Sequence, residues 1–238
     1  MSDVREGVES AVDYVLRAVS DPGILRFLEL IRRHDIKYGI DTYPHSVRTG
    51  VSVVLLGGDP DAVKSALVHD VGKIMLPRPE LLKKPGDFTA EEKREVGRHT
   101  ELGYLLLTGT GNGLPSVVAE TARDHHTVVD QYRDQTESPR KRGGRKTRRR
   151  EKNTIELLVG ACERYDALRN ARAYRGEQDA DTVLHAMRSM NQSRVWLSLA
   201  DSLYRLDNTA RDVMISRGLY DPENLANPWG LEGTPKRL

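Results

Sequence analysis

The chain has 238 residues, 38% of them hydrophobic and 30% charged, with 37 Lys+Arg set against 35 Asp+Glu, seven histidines and one cysteine. A single cysteine excludes an internal disulfide framework and a cysteine-rich zinc site and suits a reduced, cytoplasmic protein, so any metal centre must be built from histidine and carboxylate. No run approaches the roughly 20 apolar residues that span a bilayer, and Met1-Ser2-Asp3-Val4-Arg5-Glu6 lacks the basic-then-apolar order of a signal peptide, so no membrane association is expected.

Apolar spacing is helical almost throughout and nowhere alternates as a half-buried strand would, which predicts an all-α chain. In chain order the spacing predicts helices over 3–19, 22–34, 42–57, 60–70, 90–107, 115–127, 154–172, 179–190 and 194–215, followed by an irregular tail holding Pro222, Pro228 and Pro235. Thr89-Ala90-Glu91-Glu92 is a capping box that fixes where the fifth of these begins. Charge density and the Gly143-Gly144 pair leave 130–153 little to bury, which predicts a loop. Within it, residues 140–152 hold nine Lys/Arg and one Glu; removing that local +8 from the overall +2 leaves −6 for the rest. The expected organisation is N-terminal helices in 1–36, a core in 37–192 carrying the basic loop 133–153, and a C-terminal helix and tail in 193–238. The residues ahead of the core are expected to form at most two helices and no sensor domain.

Five histidines fall in contexts that suit metal binding, spread over five predicted helices: His45, His69-Asp70, His99, His125-His126, and then Glu163 three residues before Asp166. One such histidine is ordinarily a satisfied core or surface residue; the series is what carries the signal. Adjacent helical residues point about 100° apart, so His69 and Asp70 can address one ion together, or Asp70 can bridge two. Gly72 is read as the end of that helix, and Lys73 lies one turn past Asp70, where its ammonium can meet a bound phosphate. His125 and His126 can each serve a different ion of a pair. Asp41 and His45 are four apart and can share a face; an N-cap role for Asp41 is the equal alternative. His34-Asp35 repeats the dipeptide without the apolar run before it and reads as a surface helix end.

Taken in order, these motifs resemble the HD superfamily of metal-dependent phosphohydrolases and, within it, the HD-GYP group of cyclic di-GMP phosphodiesterases. The residues that carry the resemblance are Thr42-Tyr43-Pro44-His45-Ser46, Leu67 to Ile74 around His69-Asp70, Leu81-Leu82-Lys83-Lys84-Pro85-Gly86, Arg98-His99-Thr100-Glu101-Leu102-Gly103, and Tyr165-Asp166-Ala167-Leu168 with Arg172-Ala173-Tyr174-Arg175. The resemblance implies an HD-domain helical bundle with His45, His69, Asp70 and Glu163 around one ion and His99, His125 and His126 around a second that Asp70 bridges. Asp41 stands where some relatives recruit a third. Imidazole and oxygen ligands suit Fe, Mn, Zn or Ni; Fe or Mn is expected. Two such ions can activate water and neutralise phosphoryl charge, with Asp70 and Lys73 as the catalytic pair and Lys73, Arg169, Arg172 and Arg175 toward substrate. The chain departs from the group in three places. Thr127-Val128-Val129-Asp130 follows the paired histidines, the Gly-Tyr-Pro sequence is absent, and Glu163 replaces an aspartate. Asp166 then falls to a structural position.

The expected function is hydrolysis of a cyclic dinucleotide, cyclic di-GMP foremost, to a linear dinucleotide or GMP. The alternatives are an HD phosphohydrolase of another nucleotide, or an inactive module that binds a nucleotide or protein. A regulatory protein partner and a homodimer are compatible with either. The 140–152 segment could be a solvated loop, could steer an anionic substrate, or could touch nucleic acid, although no aromatics interleave its cations to stack on bases.

Overall fold

The computed structural model describes residues 2–109, 111, 113–127, 154–170, 177–191 and 193–219, and among these every regular element is helical. The helices are α1 (Ser2–Val19), α2 (Pro22–Tyr38), α3 (Thr42–Leu55), α4 (Pro60–Val68), α5 (Ala90–Gly97), α6 (His99–Gly109), α7 (Ser116–Asp124), α8 (Thr154–Arg169), α9 (Ala180–Met190) and α10 (Arg194–Ser216), with 3₁₀ turns at Val71–Met75 and Pro79–Lys83. The basic segment 140–152, Arg172, Arg175 and the tail beyond 219 lie outside the described residues.

Local chemistry sets most helix origins. Asp21, Asp59, Thr89, Asp179 and Ser193 each accept a backbone N–H of the first turn, and Thr89 and Glu92 form both halves of the capping box. Several helices end differently from the expectation, three of them with consequences for the site or its surroundings. The stretch 90–107 is two helices: α5 stops at Gly97, a poor helix former, and α6 starts at His99. Helix α4 ends at Val68, before His69 and Asp70 rather than after them. Helix α2 runs on to Tyr38 and closes at Gly39, whose φ of 64° lets its N–H reach the Asp35 carbonyl.

Two helices are enclosed on nearly every side, as the absence of a polar stripe in their sequences demands. Helix α3 is buried continuously from Thr42 to Val51, and α8 buries most of Glu156 to Asp166. They pack on each other, α4 packs on both, α7 lies against α4, α6 and α8, and α1 and α10 cover α3 and α8 respectively. A single aliphatic cluster takes Val8 and Val15 from α1, Phe27 and Ile31 from α2, Val47 and Val51 from α3, and Trp196 and Val213 from α10. It therefore draws on α1, α2, α3 and α10 alike. No described helix is long and apolar enough to cross a membrane.

Candidate metal centre

Helices α3, α4, α6, α7 and α8 bring the expected residues to one buried point. His45 is on the first turn of α3, His69 and Asp70 follow the end of α4, His99 opens α6, His125 and His126 follow α7, and Glu163 is in the middle of α8. His45, His69, Asp70, His99, His125 and Glu163 are all at least nine-tenths buried. Their ligand atoms fall into two sets, each within 4.8 Å: His45, His69 and Asp70, and His99, His125 and His126.

Asp70 joins them. Its Oδ2 lies 3.3 Å from His69 Nε2 and 3.7 Å from His45 Nε2, while Oδ1 lies 3.2 Å from His99 Nε2 and 3.9 Å from His125 Nε2. One carboxylate oxygen faces each set. The His69 and His125 rings, 4.9 Å apart, are the other link between the two.

Three of the histidines are oriented by the same local device. The last carbonyls of a helix have no helical amide to accept from, and a histidine just past the end can donate back to one. His69 Nδ1 is 2.8 Å from the Ala66 carbonyl, His99 Nδ1 2.6 Å from that of Val96, and His125 Nδ1 3.0 Å from that of Ala122. Placing N–H on Nδ1 leaves the Nε2 lone pair pointing inward. This is how ligating imidazoles are ordinarily held. The inward Nε2 atoms of His69, His99 and His125, and one oxygen of Glu163, are buried without a hydrogen bond. Such atoms are costly unless something electrophilic meets them, and divalent ions of Fe, Mn, Zn or Ni fit this donor set.

The electrostatics agree. Burial pushes His125 well below its ordinary value, helped by His126 and His69, and pushes His126 down to about 4 against the opposing charge of Glu163. Both rings are thereby kept neutral, as ligation requires. Burial would raise Asp70, but Lys73 and His69 hold it well below the carboxylate range; Glu163 is likewise held at about 2 by Arg164 and His126 despite its burial. Burial would lower His69, but Asp70 beside it raises it above its ordinary value.

Other sequence-marked residues are placed as follows. Lys73 Nζ donates to Asp70 Oδ2 at 2.5 Å, with 16% of its side chain exposed. Gly72 does not end a helix. A Cβ there would meet the His99 carbonyl oxygen at 1.9 Å, so its bareness lets the turn that carries Asp70 press against the start of α6. Asp41 sits at the N-cap position of α3 without capping it and belongs to neither ligand set. The cap comes instead from Asp35, whose Oδ2 accepts the Tyr43 N–H at 2.6 Å. Asp35 is buried, which corrects its reading as a surface helix end. Arg169 commits its donors to Asp207, Glu177 and the Gln178 carbonyl. Sequence reasoning missed Arg48, whose Nε and Nη2 donate to Asp166 at 2.8 and 2.9 Å; a lone arginine in a buried helix is the signal it left unused. Cys162, next to Glu163, is fully buried, and burial pushes its thiol up.

The model of the HD domain family matches residues 42–216, from the start of α3 to the end of α10. The chain belongs to the HD domain family. This HD chain is 26% identical over 149 residues to a cyclic di-GMP phosphodiesterase of Thermotoga maritima, covering 63% of the chain and 38% of that protein. It is 32% identical over 136 residues to the cyclic di-GMP phosphodiesterase response regulator RpfG of Xanthomonas campestris, covering 55% and 32%. It is 32% identical over 155 residues to the 3'3'-cGAMP-specific phosphodiesterase 1 of Vibrio cholerae, covering 63% and 30%. The HD chain thus spans about a third of the length of these relatives.

Proposed function

We propose that this HD chain is a metal-dependent phosphodiesterase of the HD-GYP type that hydrolyses a cyclic dinucleotide, cyclic di-GMP foremost, to a linear dinucleotide or GMP, using two ions of iron or manganese. The observation that carries the reading is the division of Asp70, one oxygen toward each histidine set. The relatives named for cyclic di-GMP and for 3'3'-cGAMP support the substrate class.

Two divalent ions, when bound, supply an acidified water and polarisation of a phosphoryl oxygen. His45, His69, Asp70 and Glu163 would hold one, and His99, His125, His126 and Asp70 the other. The chain's own residues do the rest. Asp70, buried and ionised, fixes the separation of the two sites. Lys73 reaches Asp70 from a partly exposed position, so its ammonium can turn to a phosphoryl oxygen while the carboxylate engages the ions. Enclosure by five helices excludes bulk water and strengthens both interactions. Regulation by a protein partner or a homodimer is compatible with this site.

The test is anaerobic incubation of the Mn- or Fe(II)-loaded chain with cyclic di-GMP and, separately, 3'3'-cGAMP, with product analysis. Linear dinucleotide or mononucleotide is expected. A folded chain that holds two ions and cleaves no cyclic dinucleotide would refute the proposal and favour another nucleotide substrate or a binding module.

A further inference from the structure

His45 is held unlike the other inward-facing histidines. His69, His99 and His125 stand just beyond helix ends and donate to carbonyls three residues back. His45 lies on the first turn of α3, not just past a helix end. Its Nδ1 contacts Asp166 Oδ2 at 2.7 Å instead. Asp166 is itself fixed by two further residues: bidentate by Arg48 of α3, and by Asn170 Nδ2 at 2.8 Å just past the end of α8. Asn170 Oδ1 accepts from Arg211 of α10 at 3.0 Å, so the chain of contacts runs from His45 to the outer helix.

We infer that Asp166, held by Arg48, is a positioning residue that fixes the His45 tautomer and strengthens Nε2 as a donor, and so sets the metal affinity of the His45–His69–Asp70 site alone. A carbonyl only orients an imidazole. An ionised carboxylate also stabilises positive charge on the ring, which makes the opposite nitrogen the better donor, and removal of such partners typically costs 10–100-fold in metal affinity. Arg48 balances the buried Asp166 charge. This gives the two sites different strengths: the His45 site has a carboxylate-backed imidazole, while His99 and His125 of the second site rest on carbonyls.

The inference rests on the metal centre proposed above, and one experiment separates the two. The full apo chain is titrated with Mn(II), and with Zn(II) for tighter binding, for wild type, Asp166→Asn and Leu203→Ala, the last a buried α10 residue outside both ligand sets. Wild type should take up two ions. Asp166→Asn should weaken one ion by about 10–100-fold and leave the other unchanged, while Leu203→Ala should melt earlier with both affinities kept. Wild type that binds no metal overturns both proposals; two ions unaffected by Asp166→Asn, or both weakened equally, overturn this one alone. Should Asp166→Asn not fold, ¹⁵N imidazole spectra of the zinc-loaded wild type decide the matter. His45 must show a protonated Nδ1 and a metal-shifted Nε2, and a deprotonated or metal-bound Nδ1 overturns the inference.

Discussion

Replacing Gly72 by alanine should damage one half of the metal centre through backbone geometry alone. The added Cβ would lie 1.9 Å from the His99 carbonyl oxygen, 2.4 Å from the Gly103 nitrogen and 2.9 Å from the Gly103 Cα, where ordinary contact begins at 3.4 Å. All three are backbone atoms, so no side chain can turn aside, and the Val71–Met75 turn and the start of α6 must separate by roughly 1.5 Å. Overpacking of this kind costs about 1–3 kcal/mol. With an entirely backbone clash the upper end applies, and a chain of this size should then lose roughly 6–12 °C in Tm. The same opening draws His99 Nε2 away from Asp70 Oδ1, now 3.2 Å apart, so the variant should retain the ion at His45–His69–Asp70 and lose the one at His99–His125–His126. Gly97→Ala, where nothing lies within 4 Å of the added carbon, is the control and should not lower Tm. Calorimetry together with metal analysis checks both. A Gly72→Ala chain melting within about 2 °C of wild type and holding two ions would refute the reasoning.

Asp70→Ala should lose both ions and all turnover, since one oxygen of its carboxylate faces each set; metal analysis showing one ion fully retained would contradict the shared role. Chelation should lower Tm, because each ion present at 100 times its Kd contributes about 2.7 kcal/mol to the native state, and melting with and without chelator measures it. Arg48→Met leaves the buried Asp166 charge unbalanced and should cost about 3–5 kcal/mol in urea unfolding. Burial raises the Asp35 carboxyl to about 7, partly offset by the Tyr43 N–H, so between its unfolded value and 7 the native state binds the extra proton and stability falls as pH rises. Asp35→Asn should remove that slope, gaining roughly 2 kcal/mol on wild type between pH 5.5 and pH 8.5; parallel unfolding curves for the two chains would contradict the shift.

The all-α fold, most helix origins and the histidines that converge at one buried point were legible because each rests on local rules. Apolar spacing marks helices, and Asp, Ser and Thr mark their starts; that His69, His99 and His125 fall just past helix ends rather than inside helices was not visible. What stayed hidden depends on contacts far apart in sequence. Asp35 resembled a surface helix end until Tyr43, eight residues on, turned out to need its carboxylate as a cap. Arg48 and Asp166 are 118 residues apart, and nothing in either neighbourhood announces the pair. Gly72 was noticed for the wrong reason, since a glycine that stops a helix and one that admits a neighbouring backbone look alike in sequence. Arg169 kept helical spacing with Arg172 and Arg175, yet its partners are Asp207 and Glu177.

The central claim is that Asp70 bridges two ions, and a crystal of the Mn- or Fe-loaded chain measured at the metal absorption edge tests it most directly. Two anomalous peaks are expected, one on His45, His69, Asp70 and Glu163 and one on His99, His125, His126 and Asp70, each meeting a different Asp70 oxygen. A single peak, or two peaks of which one lies out of reach of Asp70, would contradict it.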